Sequence, residues 1–194
     1  ATEPFTPPAK ERPPHYDFRY GGIDRNVYRN RAFRHSLNMP WPILKIGNTL
    51  LYEPPEGLFG LRQWLCRYLK RFRGVHCRPE QVIITSGHHH SLSLITHLMP
   101  PEKYEFAMEN PGYRGTRDVF SHQGYRLHYA PVGPDGIHLS SLQDLPPSLI
   151  SITPSHQFPL GQIMPIKHRL ELLQLAEKGG HYIIEDDYDS ELRL

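Results

Sequence analysis

The sequence is short of several things at once, and each shortage removes a class of protein. Its two cysteines, Cys66 and Cys77, form neither a CxxC pair nor a spaced metal-ligand set. A disulfide-stapled secreted scaffold and a zinc module are thereby excluded, and free thiols point to the reducing cytoplasm. No apolar run approaches the ~20 residues that span a bilayer, and no signal-peptide pattern opens the chain. An excess of one charge is missing too: 22 Lys and Arg stand against 20 Asp and Glu, for a net +2. That balance leaves no footprint for nucleic acid or a membrane surface. There is no internal repeat and no Walker-type lysine behind a glycine-rich loop. The 194 residues, 38% apolar and 22% charged, suffice to bury a core without staples.

Proline and histidine are in excess, with 20 and 13 copies; the prolines run at roughly twice the usual share. Five prolines fall within residues 1–15, beside a single aromatic residue. Such a segment cannot offset its own ordering and reads as an extended linker. Residues 16–50 form an irregular lead-in with one short helix at 30–37. From residue 51 the pattern becomes regular. Leu58, Leu61, Leu65, Tyr68, Leu69 and Phe72 recur at three- and four-residue steps, which predicts an amphipathic helix ended by Gly74 in the left-handed conformation. Strands are expected at 82–84, 104–108, 125–129, 149–153 and 182–184. Between them, helices are expected after residue 87 and at 113–123, 140–145 and 166–178. This alternation predicts an α/β fold: a mostly parallel sheet with helices on both faces. Ligands of such sheets bind beyond the carboxyl ends of the strands, so the residues after each strand are the candidates.

Residues Thr85-Ser86-Gly87-His88-His89 open a helix. Small residues there turn backbone N–H groups toward an anion, a phosphate above all; equally, Ser86 and Gly87 could serve only as cap and turn. The run His88-His89-His90 is no metal site, because successive helical side chains point about 100° apart. Glu109-Asn110-Pro111-Gly112-Tyr113 delivers an aromatic to the sheet edge, either to stack on a planar ligand or to join the core. Pro154 and Pro159 shape the loop that carries His156, Gln157 and Phe158. Glu185-Asp186-Asp187-Tyr188-Asp189 admits three roles: a cation site, a solvated cluster, or a carboxylate that keeps a heterocyclic nitrogen protonated. The last fits best beside a phosphate cradle and an aromatic lid.

These four segments in this order resemble the large domain of fold type I enzymes that use pyridoxal 5′-phosphate (PLP). Four stretches carry the closer likeness: Arg73-Gly74-Val75-His76-Cys77-Arg78-Pro79-Glu80-Gln81, Glu109-Asn110-Pro111-Gly112-Tyr113, Thr153-Pro154-Ser155-His156-Gln157-Phe158-Pro159 and Glu185-Asp186-Asp187-Tyr188-Asp189-Ser190-Glu191. They resemble the MocR subfamily of GntR-type transcriptional regulators, in which a winged helix-turn-helix is linked to an effector-sensing, aminotransferase-like domain. The resemblance implies that Ser86, Gly87, His88 and His89 form the phosphate turn, with histidines where the family more often has Thr or Ser then Gln. It implies further that Tyr113 stacks on the pyridine ring, Asp186 pairs with its nitrogen and Tyr188 lies near its phenolic oxygen. Asp187, next in the motif, is expected to face solvent or neighbouring backbone. Phe158 stands where aminotransferases place an asparagine, which leaves His156 or Gln157 to substitute. Tyr52 resembles the tyrosine that reaches the phosphate of the neighbouring subunit in a homodimer.

The resemblance also implies gaps. The Schiff-base lysine of the family lies beyond the acidic motif, and none of Lys10, Lys45, Lys70, Lys103, Lys167 and Lys178 matches it. Residues 51–194 are therefore expected to be a partial PLP-binding large domain, inactive as an enzyme by itself. DNA would be bound only through a winged-helix domain outside this sequence. The leading expectation is a PLP-binding, effector-sensing regulator domain, with a small amino-type effector. The alternatives are part of a true aminotransferase acting on an amino acid and a keto acid, and, more weakly, a metal-dependent phosphoryl-transfer domain. One outcome follows for this chain: borohydride reduction in the presence of PLP should leave only sporadic lysine labelling in peptide maps, and a stoichiometric adduct would contradict it.

Overall fold

The computed structural model describes residues 30–38 and 54–189. Two compact units divide the chain, residues 1–53 and 54–194. In the first, α1 (Arg31–Asn38) is the described element. Asn30 caps it, its side-chain oxygen accepting the Ala32 N–H at 2.8 Å. The linker at 1–15, most of the lead-in and Tyr52 lie outside the described residues.

The second unit opens on α2 (Phe59–Arg73), which stops at Gly74 with φ +65°, the left-handed stop that the sequence predicts. Arg62 is the buried residue of this helix. Its guanidinium donates to Gly57 O at 3.0 Å and Pro79 O at 2.9 Å, clamping the chain on both sides of the helix. Next come α3 (His88–Leu98), β1 (Glu105–Asn110), α4 (Arg114–His122), β2 (Leu127–Gly133), β3 (Gly136–Ile137), β4 (Ser148–Ile152), α5 (Ile166–Gly179) and β5 (Tyr182–Glu185).

The sheet runs in the order β3-β2-β1-β4-β5, parallel except for the β2–β3 hairpin. Alternation along β1 splits the core in two. Phe106 and Met108 face Leu92 of α3 and Phe120 of α4, with the Phe106 and Phe120 rings stacked at 3.7 Å. Ala107 turns the other way and joins Ala130, Ile150, Ile152 and Leu172 of α5. β4 is buried at all five positions, as expected of a central strand covered on both faces. Where β4 meets β5, the buried His181 accepts the Ser148 N–H on Nδ1 at 3.1 Å.

Three expectations need correction. Residues 82–84 are extended but form no strand: Val82 N–H bonds back to Pro79 O, Ile84 N–H reaches Glu56 O, and no ladder partner lies alongside among the described residues. Residues 140–145 contract to a single 3-10 turn, Leu139–Ser141. The strand expected at 125–129 starts later and runs longer, because Tyr125 turns into the core against Phe120.

This packing gives a stability test. Phe120→Ala empties a fully buried ring site and should cost about 3–5 kcal/mol. Leu170→Ala, on an exposed position of α5, should stay within about 0.5 kcal/mol. Urea titrations of both variants measure the difference.

Candidate cofactor site

The loops that follow β1, β4 and β5 converge on one carboxylate. Glu109, near the end of β1, is 4% exposed. Its Oε2 accepts from Thr153 N at 3.1 Å, Thr153 Oγ1 at 2.7 Å and Gln157 Nε2 at 3.3 Å. Its Oε1 has no hydrogen-bond partner among the described residues. Burial raises the Glu109 pKa above its ordinary value, and the bonds from Thr153 and Gln157 pull the other way. Gln157 is itself buried. Its amide nitrogen also donates to Pro111 O at 2.9 Å and Phe158 O at 2.7 Å, while its oxygen accepts Leu160 N–H at 3.1 Å.

Around this hub runs a chain of rings. Tyr113 caps α4 and stands edge-on to Phe158 at 5.8 Å and to His88 at 5.7 Å. Phe158 stands edge-on to Tyr188 at 6.4 Å. The Tyr188 hydroxyl donates to His156 O at 3.0 Å, and the two rings lie nearly parallel at 6.1 Å. Burial, then Asp189, Asp186 and Glu109, raise the Tyr188 pKa, so its hydroxyl stays a donor at neutral pH. His156 is half-exposed and pairs through Nδ1 with Asp189.

Asp186 is the first residue past β5, and its N–H bonds to Ile152 O at 2.9 Å, extending the register with β4. Its carboxylate lies 3.7 Å from His88 Nδ1, and His88 Nε2 sits 3.0 Å from Thr116 Oγ1. Asp186, Tyr113, Thr116, Glu109, Thr153 and Gly112 share the walls of one narrow crevice. At its flank α3 begins. Gly87 is the N-cap, with φ +130°, a conformation that favours glycine. A Cβ there would meet nothing within 4 Å, so the helix start is open on that side. Ser86 is engaged by His90, whose Nδ1 lies 3.2 Å from the Ser86 nitrogen and 3.1 Å from its Oγ.

The structure thus brings His88, Tyr113 and Asp186 together directly. Tyr188 and His156 join them through Phe158, and Ser86 and Gly87 stand at the start of α3. His89 packs toward α4, where a Cβ on Gly115 would stand 2.7 Å from its Nε2. Two expectations fail. Gln157 cannot substitute for the missing asparagine, because its amide is consumed in holding the loop. Asp187 does not face solvent or backbone; it pairs with Arg73 at the end of α2, which also binds Glu185 at 2.9 Å. Glu109, Thr153 and Arg73 lie in the quoted motif stretches but were given no role there, and Thr116 lies in none of them. For Glu109 the available signal was a carboxylate directly after the strand expected at 104–108; the structure places it inside β1.

A parallel sheet carrying an aromatic, a carboxylate and a helix start at its carboxyl edge defines the large domain of a fold type I aminotransferase. Residues 26–188 match the aminotransferase class I and II family, and the chain belongs to it. The uncharacterised HTH-type transcriptional regulator YdeL of Bacillus subtilis is 37% identical over 195 residues, an alignment that takes in 100% of this chain and 41% of that protein. The probable rhizopine catabolism regulatory protein MocR of Rhizobium meliloti is 41% identical, over 69% of this chain and 27% of its own length. The chain therefore spans well under half of either relative. Among solved structures, LysN, an α-aminoadipate aminotransferase of Thermus thermophilus complexed with N-(5′-phosphopyridoxyl)-L-leucine, superimposes with a TM-score of 0.62. It is 32% identical, with 71% of this chain and 35% of that chain covered.

Glu109 has a pH signature. Its pKa is raised on folding, so the folded state holds the proton more tightly than the unfolded chain does. Its stabilising contribution is complete below about 4.5, the ordinary value, and is lost as pH rises through the folded-state pKa. Glu109→Gln keeps an acceptor for Thr153 and removes the titration. Relative to wild type, the variant should gain stability as pH rises from 4 to 7, and parallel curves in urea titrations across that range would contradict the assignment.

Proposed function

We propose that the chain is the PLP-binding, effector-sensing part of a transcriptional regulator. The observation that carries the reading is Asp186, set at the end of β5 within one crevice with Tyr113 and beside the open start of α3. That set fits the cofactor in kind: an anion end for the phosphate, an aromatic face for the ring and a carboxylate for the ring nitrogen. The uncommitted Glu109 Oε1 in the same crevice wall adds room for one further polar contact. When bound, PLP supplies an aldehyde that takes up amines and a ring that accepts electrons.

In this reading Asp186 holds a proton on the ring nitrogen, and Tyr113 covers the ring. Tyr188 and His156 serve its phenolic oxygen, with Phe158 holding Tyr188 in place. The N–H groups at the start of α3, with Ser86, Gly87, His88 and His89, take the phosphate, which competes with His90 for the Ser86 N–H. Tyr52 reaches the phosphate of the neighbouring subunit in a homodimer. The effector is a small amino compound, and DNA is bound through a separate winged-helix domain. The regulator reading is favoured over catalysis by relatives such as YdeL, which is named a regulator and is similar along the whole chain. A second reading, part of an aminotransferase acting on an amino acid and a keto acid, draws its support from the likeness to LysN.

Asp186→Ala in the full-length protein should weaken PLP binding by about tenfold or more, the scale of a lost hydrogen bond to a charged group. It should also blunt the effector response while leaving operator binding intact. Asp187→Ala should cost less in cofactor affinity and more in thermal stability, because it strips Arg73 of a partner. Spectroscopic PLP titrations beside an operator-binding assay test both. Cofactor loss in Asp187→Ala alone would overturn the assignment of Asp186.

A further inference from the structure

Cys66 and Cys77 lie outside the cofactor site, and nothing in that reading uses them. Cys66 is on the third turn of α2, and Cys77 sits in the extended segment that follows Gly74. The Cys77 thiol donates to the Cys66 sulfur across 3.6 Å, and both residues are half-buried. With Arg67, Lys70, His76 and Arg78 they line a groove of about 480 Å³.

The two thiols are held together by contacts that do not involve sulfur. Val75 N–H turns back to Leu69 O at 3.2 Å, so the chain reverses over the end of α2. Arg62 of the same helix holds Pro79 O at 2.9 Å, just past Cys77. Arg78 N–H is fixed by Gln81 Oε1 at 3.1 Å. The sulfur separation therefore has to shrink from 3.6 Å to about 2.05 Å, the length of an S–S bond, with the flanking backbone already in place. The groove, lined by both cysteines, offers a small molecule direct access.

We propose that Cys66 and Cys77 are a modification site: a dithiol that a small hydroperoxide oxidises, through this groove, to a reversible intramolecular disulfide. One thiolate attacks a peroxide oxygen and the O–O bond breaks. The sulfur becomes a sulfenic acid, and the departing hydroxide takes a proton and leaves as water. The second sulfur, giving up its proton, attacks the first; the S–S bond forms, the S–O bond breaks and a second water leaves. Two thiols and one hydroperoxide thus yield one disulfide and two waters when the oxidant is hydrogen peroxide. Burial, and then the neighbouring Cys77, push the Cys66 thiol up. The disulfide would lock the segment after Gly74 onto α2, with Cys77 four residues past Arg73 and its grip on Glu185 and Asp187.

The full-length protein is treated with hydrogen peroxide, alkylated without reduction and mapped by mass spectrometry. The expected product is one linked peptide pair joining Cys66 to Cys77 within a chain, lost on reduction with dithiothreitol. In Cys66→Ser, dimedone should trap a sulfenic acid on Cys77, and in Cys77→Ser on Cys66. Because the wild-type map needs no variant, misfolding of either serine protein leaves the main test intact. Both thiols alkylated after excess peroxide, crosslinks only between chains, or irreversible sulfinic acid without a linked pair would each overturn the proposal.

Discussion

A single buried carboxylate decides how the loops at the sheet edge sit. Glu109 cannot be taken out of water without donors to meet it, and the three that do so come from Thr153 and Gln157, beyond β4. The end of β1 is thereby tied to the turn after β4, and Gln157 adds a second tie to Pro111 O. With those two loops fixed, Tyr113 and Phe158 meet edge to face, and Tyr188 follows from Phe158. Asp186 needs only the register of β5 on β4 to arrive beside them. The crevice is consequently a product of sheet pairing and one buried carboxyl group, with little left to flexible side chains.

Much of this was legible in the residues. The helices announced themselves by apolar spacing and by glycine stops, as at Gly74 and Gly180, both at φ +65°. The rule that ligands gather after strands singled out Tyr113 and Asp186 without any knowledge of the sheet order, and both line the crevice. What stayed hidden was long-range pairing. Val82-Ile83-Ile84 has the composition of a buried strand, but a ladder depends on a partner, and none is supplied there. β3 is too short to leave a pattern; it exists because the chain folds back between Gly133 and Gly136. Glu109 finds Thr153 across 44 positions and Arg73 finds Glu185 across 112, separations at which residue spacing carries no information.

The acidic motif shows how such pairings divide labour among identical side chains. Asp186 and Asp187 are adjacent and chemically equal, yet one lines the crevice and the other is committed to Arg73. The guanidinium at the end of α2, gripping the residues on both sides of Asp186, leaves a single carboxylate of the run turned to the crevice. A helix that contributes nothing to the crevice wall thus sets which aspartate is available.

The histidine at the seam of β4 and β5 has a consequence for the working range of the protein. His181 is buried and uses Nδ1 as an acceptor, and burial lowers its pKa from 6.5. Below that value the unfolded chain takes up a proton that the folded chain refuses, so acidification weakens the seam as pH falls through this range. Glu109 acts in the opposite sense at the other end of the same strand, favouring the folded state while protonated. β4 therefore carries an acid-sensitive lock at its entrance, which weakens as pH falls below 6.5, and a base-sensitive one at its exit, which weakens as pH rises above 4.5.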